Sequence, residues 1–209
     1  MKNLKFAAHY MLSPGGRFLK WPVITLREDG LVTGVDLFPE GMREQAGVRF
    51  FSGILVPGFV DLFLQNEGFL AGADPRFFNR HLARGTMVFG VSEVPAILPA
   101  GNAWPLVVRT PDLPAGTPEA ICGSTEPLWE RVKTFALSEP TVPFSRLLTL
   151  ITLESARVSG LSRAGALEPG LAPGLLLVQN ADLTDLKPLT GSSVRWLNLP
   201  DPACFRARG

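Results

Sequence analysis

After Pro57 and Gly58 the chain runs FVDLFLQ, a nearly continuous apolar stretch with little alternation of inner and outer positions. Strands of that kind are buried on both faces in parallel sheets, and a parallel neighbour requires a crossover connection. The following residues supply one. Asp74 and Pro75 make a helix start, a carboxylate N-cap ahead of a proline at the first helical position. Phe77, Phe78, His81 and Leu82 then fall on one helical face, Gly85 ends the helix, and TMVFGVSEV reads as the next apolar strand. Residues 54–94 therefore read as a βαβ unit, the repeating element of α/β folds.

Upstream the pattern is different. LKFAAHYML, WPVITL, LVTGVDLF and VRFFSGILV are short apolar runs separated by SPGG and REDG, and Gly30 suits the positive φ of a hairpin turn. This region predicts a small antiparallel sheet, with His9 on one of its strands. Residues 95–118 are rich in Pro and Gly and hold one strand-like run, WPLVV. A helix begins near Pro127, with Leu128, Trp129, Val132, Phe135 and Ala136 at helical spacing, and a second runs from near Pro143 to Gly160. LLLVQNADL and SSVRWLNL read as two closing strands.

Composition narrows the function classes. Among 209 residues, 20 Lys plus Arg nearly balance 19 Asp plus Glu, so the chain has no basic field for a nucleic-acid backbone. No apolar stretch approaches the roughly 20 residues that span a bilayer. The opening MKNLKFAAHYML lacks a signal-peptide core and reads as a first strand. Cys122 and Cys204 are far apart and outside any ligand-like spacing, which fits a buried thiol and a tail thiol in a cytoplasmic protein. SPGG and LAPG are turns rather than phosphate loops, and no cofactor is expected.

GILVPGFVDLFLQNE resembles the segment by which amidohydrolases pass from an N-terminal β-sandwich into the first strand of a TIM-like barrel. HLARGTMVFGVSEV is similar to that family's first barrel helix and second strand. LLTLITLESARVSGLSRAGALEPGLAPGLLLV resembles its last barrel helix and the signature that returns the chain to the sandwich, with Glu154 in place of Asn. AICGSTEPL resembles the end of the eighth strand. Glu67 and the closing helix lean toward the deaminase branch acting on purine-like or aminofutalosine-type substrates. The resemblance implies an α/β fold: a composite β-sandwich from residues 1–54 and 161–209, and a reduced, barrel-derived α/β layer from 55–160. An intact barrel takes about 250 residues and only about 110 are available here, so strands three to seven have no obvious room.

In that family the first strand reads PGF[VI][DN]-x-H-x-H and its two histidines hold the catalytic metal. Phe63 and Gln65 stand at those positions here, and Thr125 stands where an eighth-strand Asp ligand is usual, with Glu126 one residue on. Metal-dependent hydrolysis needs an ion to acidify a bound water. Phe63 offers no lone pair, and Gln65 is a weak neutral donor unsuited to zinc. No metal and no catalytic residue are therefore expected. Asp61, Gln65, Glu67 and Glu93 should gather at the strand ends as a vestigial ligand pocket. The leading expectation is a non-catalytic binding or assembly module, a homodimer or a partner of a full-length amidohydrolase relative. A residual hydrolase of carbon-nitrogen bonds and a small-molecule binder using the old pocket are the alternatives.

Overall fold

The computed structural model describes residues 3–41, 45–64, 75–91, 106–109 and 113–205. The turn signals of the first fifty residues produce β1 (Asn3–Leu12), β2 (Phe18–Lys20), β3 (Pro22–Arg27), β4 (Val32–Leu37) and β5 (Val48–Val56). The closing runs produce β9 (Leu175–Gln179) and β10 (Ser193–Asn198). All seven are hydrogen-bonded into one sheet in the order β10-β9-β5-β1-β3-β4, with β2 paired to one end of β1. The tight turns make β1, β2, β3 and β4 antiparallel to their partners, but β5 lies parallel to β1, against the all-antiparallel expectation. The connection from β4 to β5 is too long for a hairpin, which leaves β5 free to return along the open side of β1. From there β5 pairs antiparallel with β9, joining strands from the two terminal parts of the chain.

Between them lies a second, three-stranded parallel sheet. It consists of β6 (Phe59–Asp61), β7 (Thr86–Val91) and β8 (Leu106–Arg109), in the order β6-β7-β8. Helix α1 (Pro75–Ala83) makes the crossover from β6 to β7, as the apolar run at Phe59 requires. Asp74, expected to cap α1, lies outside the described residues. Leu106–Arg109, which overlaps the strand-like WPLVV run, forms β8. AICGSTEPL departs from its expected strand: it is a 3₁₀ turn, Glu119–Ile121, followed by irregular backbone. Pro118, Pro127 and a positive φ at Gly123 leave too few consecutive extended residues for a strand. Its one ladder-like bond joins the Gly123 N–H to the Phe63 carbonyl, at 2.8 Å.

Helix α2 (Leu128–Ser138) follows, then α3 (Phe144–Thr149), which continues through a π turn (Leu150–Glu154) into α4 (Ser155–Val158). Along β5 and β9, side chains alternate between two cores. Ile54, Val56, Leu176 and Val178 face α2 and α3, while Leu55, Leu175 and Leu177 pack with Phe6 and Ile24. The two sheets meet at Gly58. A Cβ there would fall 2.7 Å from the Met87 sulfur and 2.8 Å from the Trp196 ring, closer than side chains tolerate. The Trp196 indole N–H completes the joint by donating to the Leu82 carbonyl at 2.6 Å.

Candidate functional site

β6 carries its side chains to opposite sides, as strand geometry dictates. Val60 and Leu62 pack with Met87 and Ala156. Phe59 and Phe63 enter the cluster that holds Trp129, Leu128 and Ile121, and the Phe59 ring stacks on Trp129 at 6.2 Å and 9°. Phe63 is 0% exposed. Burying aromatic side chains of this size stabilises the fold by roughly 2–3 kcal/mol each.

Asp61 shares this face between the two phenylalanines and is also fully buried. One carboxylate oxygen accepts the Phe63 N–H at 3.1 Å, and the other accepts Arg131 of α2, itself only 4% exposed. Arg131 also donates to the Ile121 carbonyl at 2.6 Å and the Glu126 carbonyl at 3.0 Å. A single guanidinium thus joins β6 to both ends of the 121–126 segment. Burial pushes the Asp61 carboxyl above its ordinary range, against the opposing pull of Arg131 and the Phe63 N–H.

The middle of that segment is held from α1. Thr125 offers its carbonyl to Arg80 at 2.8 Å and to His81 Nε2 at 3.2 Å. A carbonyl only accepts, so Nε2 carries the proton and Nδ1 is left as a buried lone pair with no partner among the described residues. His81 is 0% exposed between Phe77 and Phe89, on the apolar helix face where its spacing put it. Burial lowers its pKa to about 4.

Of the residues singled out in the sequence, Asp61 and Phe63 are joined by a hydrogen bond, and Thr125 lies in the segment that Arg131 ties to Asp61. Both Asp61 oxygens are engaged inside the protein, so this side chain does not line an open pocket. Gln65, Glu67 and Glu93 lie outside the described residues. His9 receives the Gly53 N–H at 3.4 Å on β1, remote from this face. Glu154, at the family's Asn position, pairs with Arg146. Burial pushes the Cys122 thiol up, away from the thiolate that nucleophilic chemistry needs. Among the described residues, no three His, Cys, Asp or Glu side chains form a metal-holding group. Phe63, the position that the sequence resemblance assigns to a metal ligand, is an aromatic ring in dry core, and the adjacent Asp61 carboxylate is paired with Arg131. Arg131 escaped the sequence reading. Its signal was position, since it sits three residues after Leu128 and four before Phe135, on the buried side of α2.

A seven-stranded sheet drawing on both terminal parts of the chain, with a βαβ layer inserted between them, makes a mixed α/β fold. A solved structure described as a prolidase from Bifidobacterium longum is similar over 88% of this chain and 90% of that one, with a TM-score of 0.54 and 10% identity. An N-acetyl-D-glucosamine-6-phosphate deacetylase from Mycobacterium smegmatis matches 68% of this chain and 30% of its own, at TM-score 0.34 and 17% identity. Guanine deaminase from Bradyrhizobium japonicum matches 43% and 29%, at TM-score 0.29 and 13% identity. The chain thus spans less than a third of the latter two. At such identities the likeness concerns the fold alone. No family model matches the chain, and no curated protein matches it. Among the described residues, no helix is long and apolar enough to cross a membrane.

Proposed function

We propose that this chain is a shortened amidohydrolase relative that does not carry out metal-dependent hydrolysis and acts instead as a binding or assembly module. One observation carries the reading: the strand face that would present metal ligands holds Phe59, Asp61 and Phe63, packed against α2, with Asp61 bound to Arg131. In this reading residues 1–54 and 161–209 are the composite sandwich domain and 55–160 the barrel-derived layer. Among the described strands, β8 is the edge of the parallel sheet. Unpaired edge groups favour association, and the proposed partner is a second copy or a full-length relative.

Elemental analysis of the purified protein tests the first half. Zinc or iron near one equivalent per chain would overturn it, and a trace content is the expected result. Light scattering tests the second: a dimer is expected, and a stable monomer that captures no full-length relative would end the assembly reading.

A further inference from the structure

A groove of about 430 Å³ opens between α1, α2 and the loop that precedes β10, away from the buried face of β6. It is within the size range of small-molecule sites. Arg80 and Arg84 of α1 and Lys133 of α2 line it, and among the described residues Glu130 is the only acidic one that does. Glu130 contacts Lys133 at 2.6 Å with one oxygen and Arg84 at 3.4 Å with the other. One carboxylate therefore positions two cations and neutralises one, while Arg80 is fixed from behind by the Thr125 carbonyl. The far wall is the exposed Thr190 and Gly191, and a Cβ at Gly191 would meet open space, so bare backbone faces the groove. Lys133 reaches that wall through the Ser192 carbonyl at 3.4 Å. The whole chain carries a formal charge of only +1, so an excess of two positive charges in one concavity is a local feature.

We propose that this groove binds a small molecule through a dianionic phosphate group. Cations approaching from two helices, with Thr190 on the opposite wall, suit a tetrahedral oxyanion better than a planar carboxylate. The inference stands whether or not the β6 face is inert, because the two share no lining residue.

Titration calorimetry with inorganic phosphate at constant ionic strength tests it. One site per chain is expected. Arg80→Gln and Lys133→Gln should each weaken it roughly tenfold, the loss typical of one charge-assisted hydrogen bond. Arg157→Gln, on α4, should leave binding unchanged. Thr190→Glu places a carboxylate in the groove from an exposed loop position without disturbing the helices, and should abolish binding even if the helix variants fold poorly. Absence of phosphate binding by the unmodified protein, or binding that survives Thr190→Glu, would overturn the proposal.

Discussion

Replacing Arg131 with Met removes the guanidinium while keeping most of the side-chain volume. Three acceptors lose their donor: the Asp61 carboxylate and the Ile121 and Glu126 carbonyls. Asp61 is 0% exposed, so water cannot reach it without local opening. Breaking a buried ion pair from one side costs about 3–5 kcal/mol, and part of the carbonyl loss is already contained in that figure. We expect about 4 kcal/mol, a large share of the roughly 5–15 kcal/mol typical of a folded domain. With a urea slope of about 3 kcal/mol per M, the unfolding midpoint should fall by about 1.3 M. The double variant Asp61→Leu with Arg131→Met separates charge from packing. Removing both partners leaves no orphaned carboxylate, and well-packed apolar replacements of buried ion pairs are often neutral. The double variant should therefore recover most of the loss. A loss below about 1 kcal/mol for Arg131→Met, or a double variant no better than the single, would show that the pair does not hold the 121–126 segment to β6.

The remaining predictions use the same packing. Phe63→His restores a metal-type residue at the family position but places an imidazole in the apolar core, so it should lose about 2–4 kcal/mol. Added zinc should not restore the melting temperature; a zinc-dependent rise would contradict the fit argued for this face. His81 has a folded pKa of about 4 against an ordinary 6.5, so the unfolded chain binds the extra proton between those values. Its contribution is complete above pH 6.5 and falls as pH drops toward 4, by about 3 kcal/mol in all. Denaturant melts of His81→Leu should lack that part of the acid sensitivity, and parallel curves for the two proteins would refute it. Gly58→Ala should cost about 1–3 kcal/mol by forcing Met87 and Trp196 apart, read by thermal melts and a shift in tryptophan emission.

Much of the architecture was legible because local chemistry and tertiary structure agree. Turn residues bracket β1 to β4, and the unbroken apolar run at Phe59 announces a strand buried on both faces. The parallel pairing of β5 with β1 was not legible, because no short turn fixes it and the partner is chosen by the sheet as a whole. AICGSTEPL resembles a strand end in residue pattern, but Pro118, Pro127 and the positive φ at Gly123 keep it from being extended. Arg131 was hidden for a different reason: on a single helix an arginine amid apolar residues looks like a solvated exception, and only the placement of Asp61 opposite makes it core.

That pairing also accounts for an aspartate between two buried phenylalanines. Asp61 has a use independent of hydrolysis, since it orders the Phe63 backbone with one oxygen and anchors Arg131 with the other. Arg131 in turn holds both ends of the segment beside β6, whose middle is tied to α1 through Thr125. The edge of β6 away from β7 is thus closed by side-chain donors and one backbone hydrogen bond in place of a ladder. A carboxylate in such a position has a structural use of its own, so its presence in the PGFVD run is not by itself a sign of catalysis.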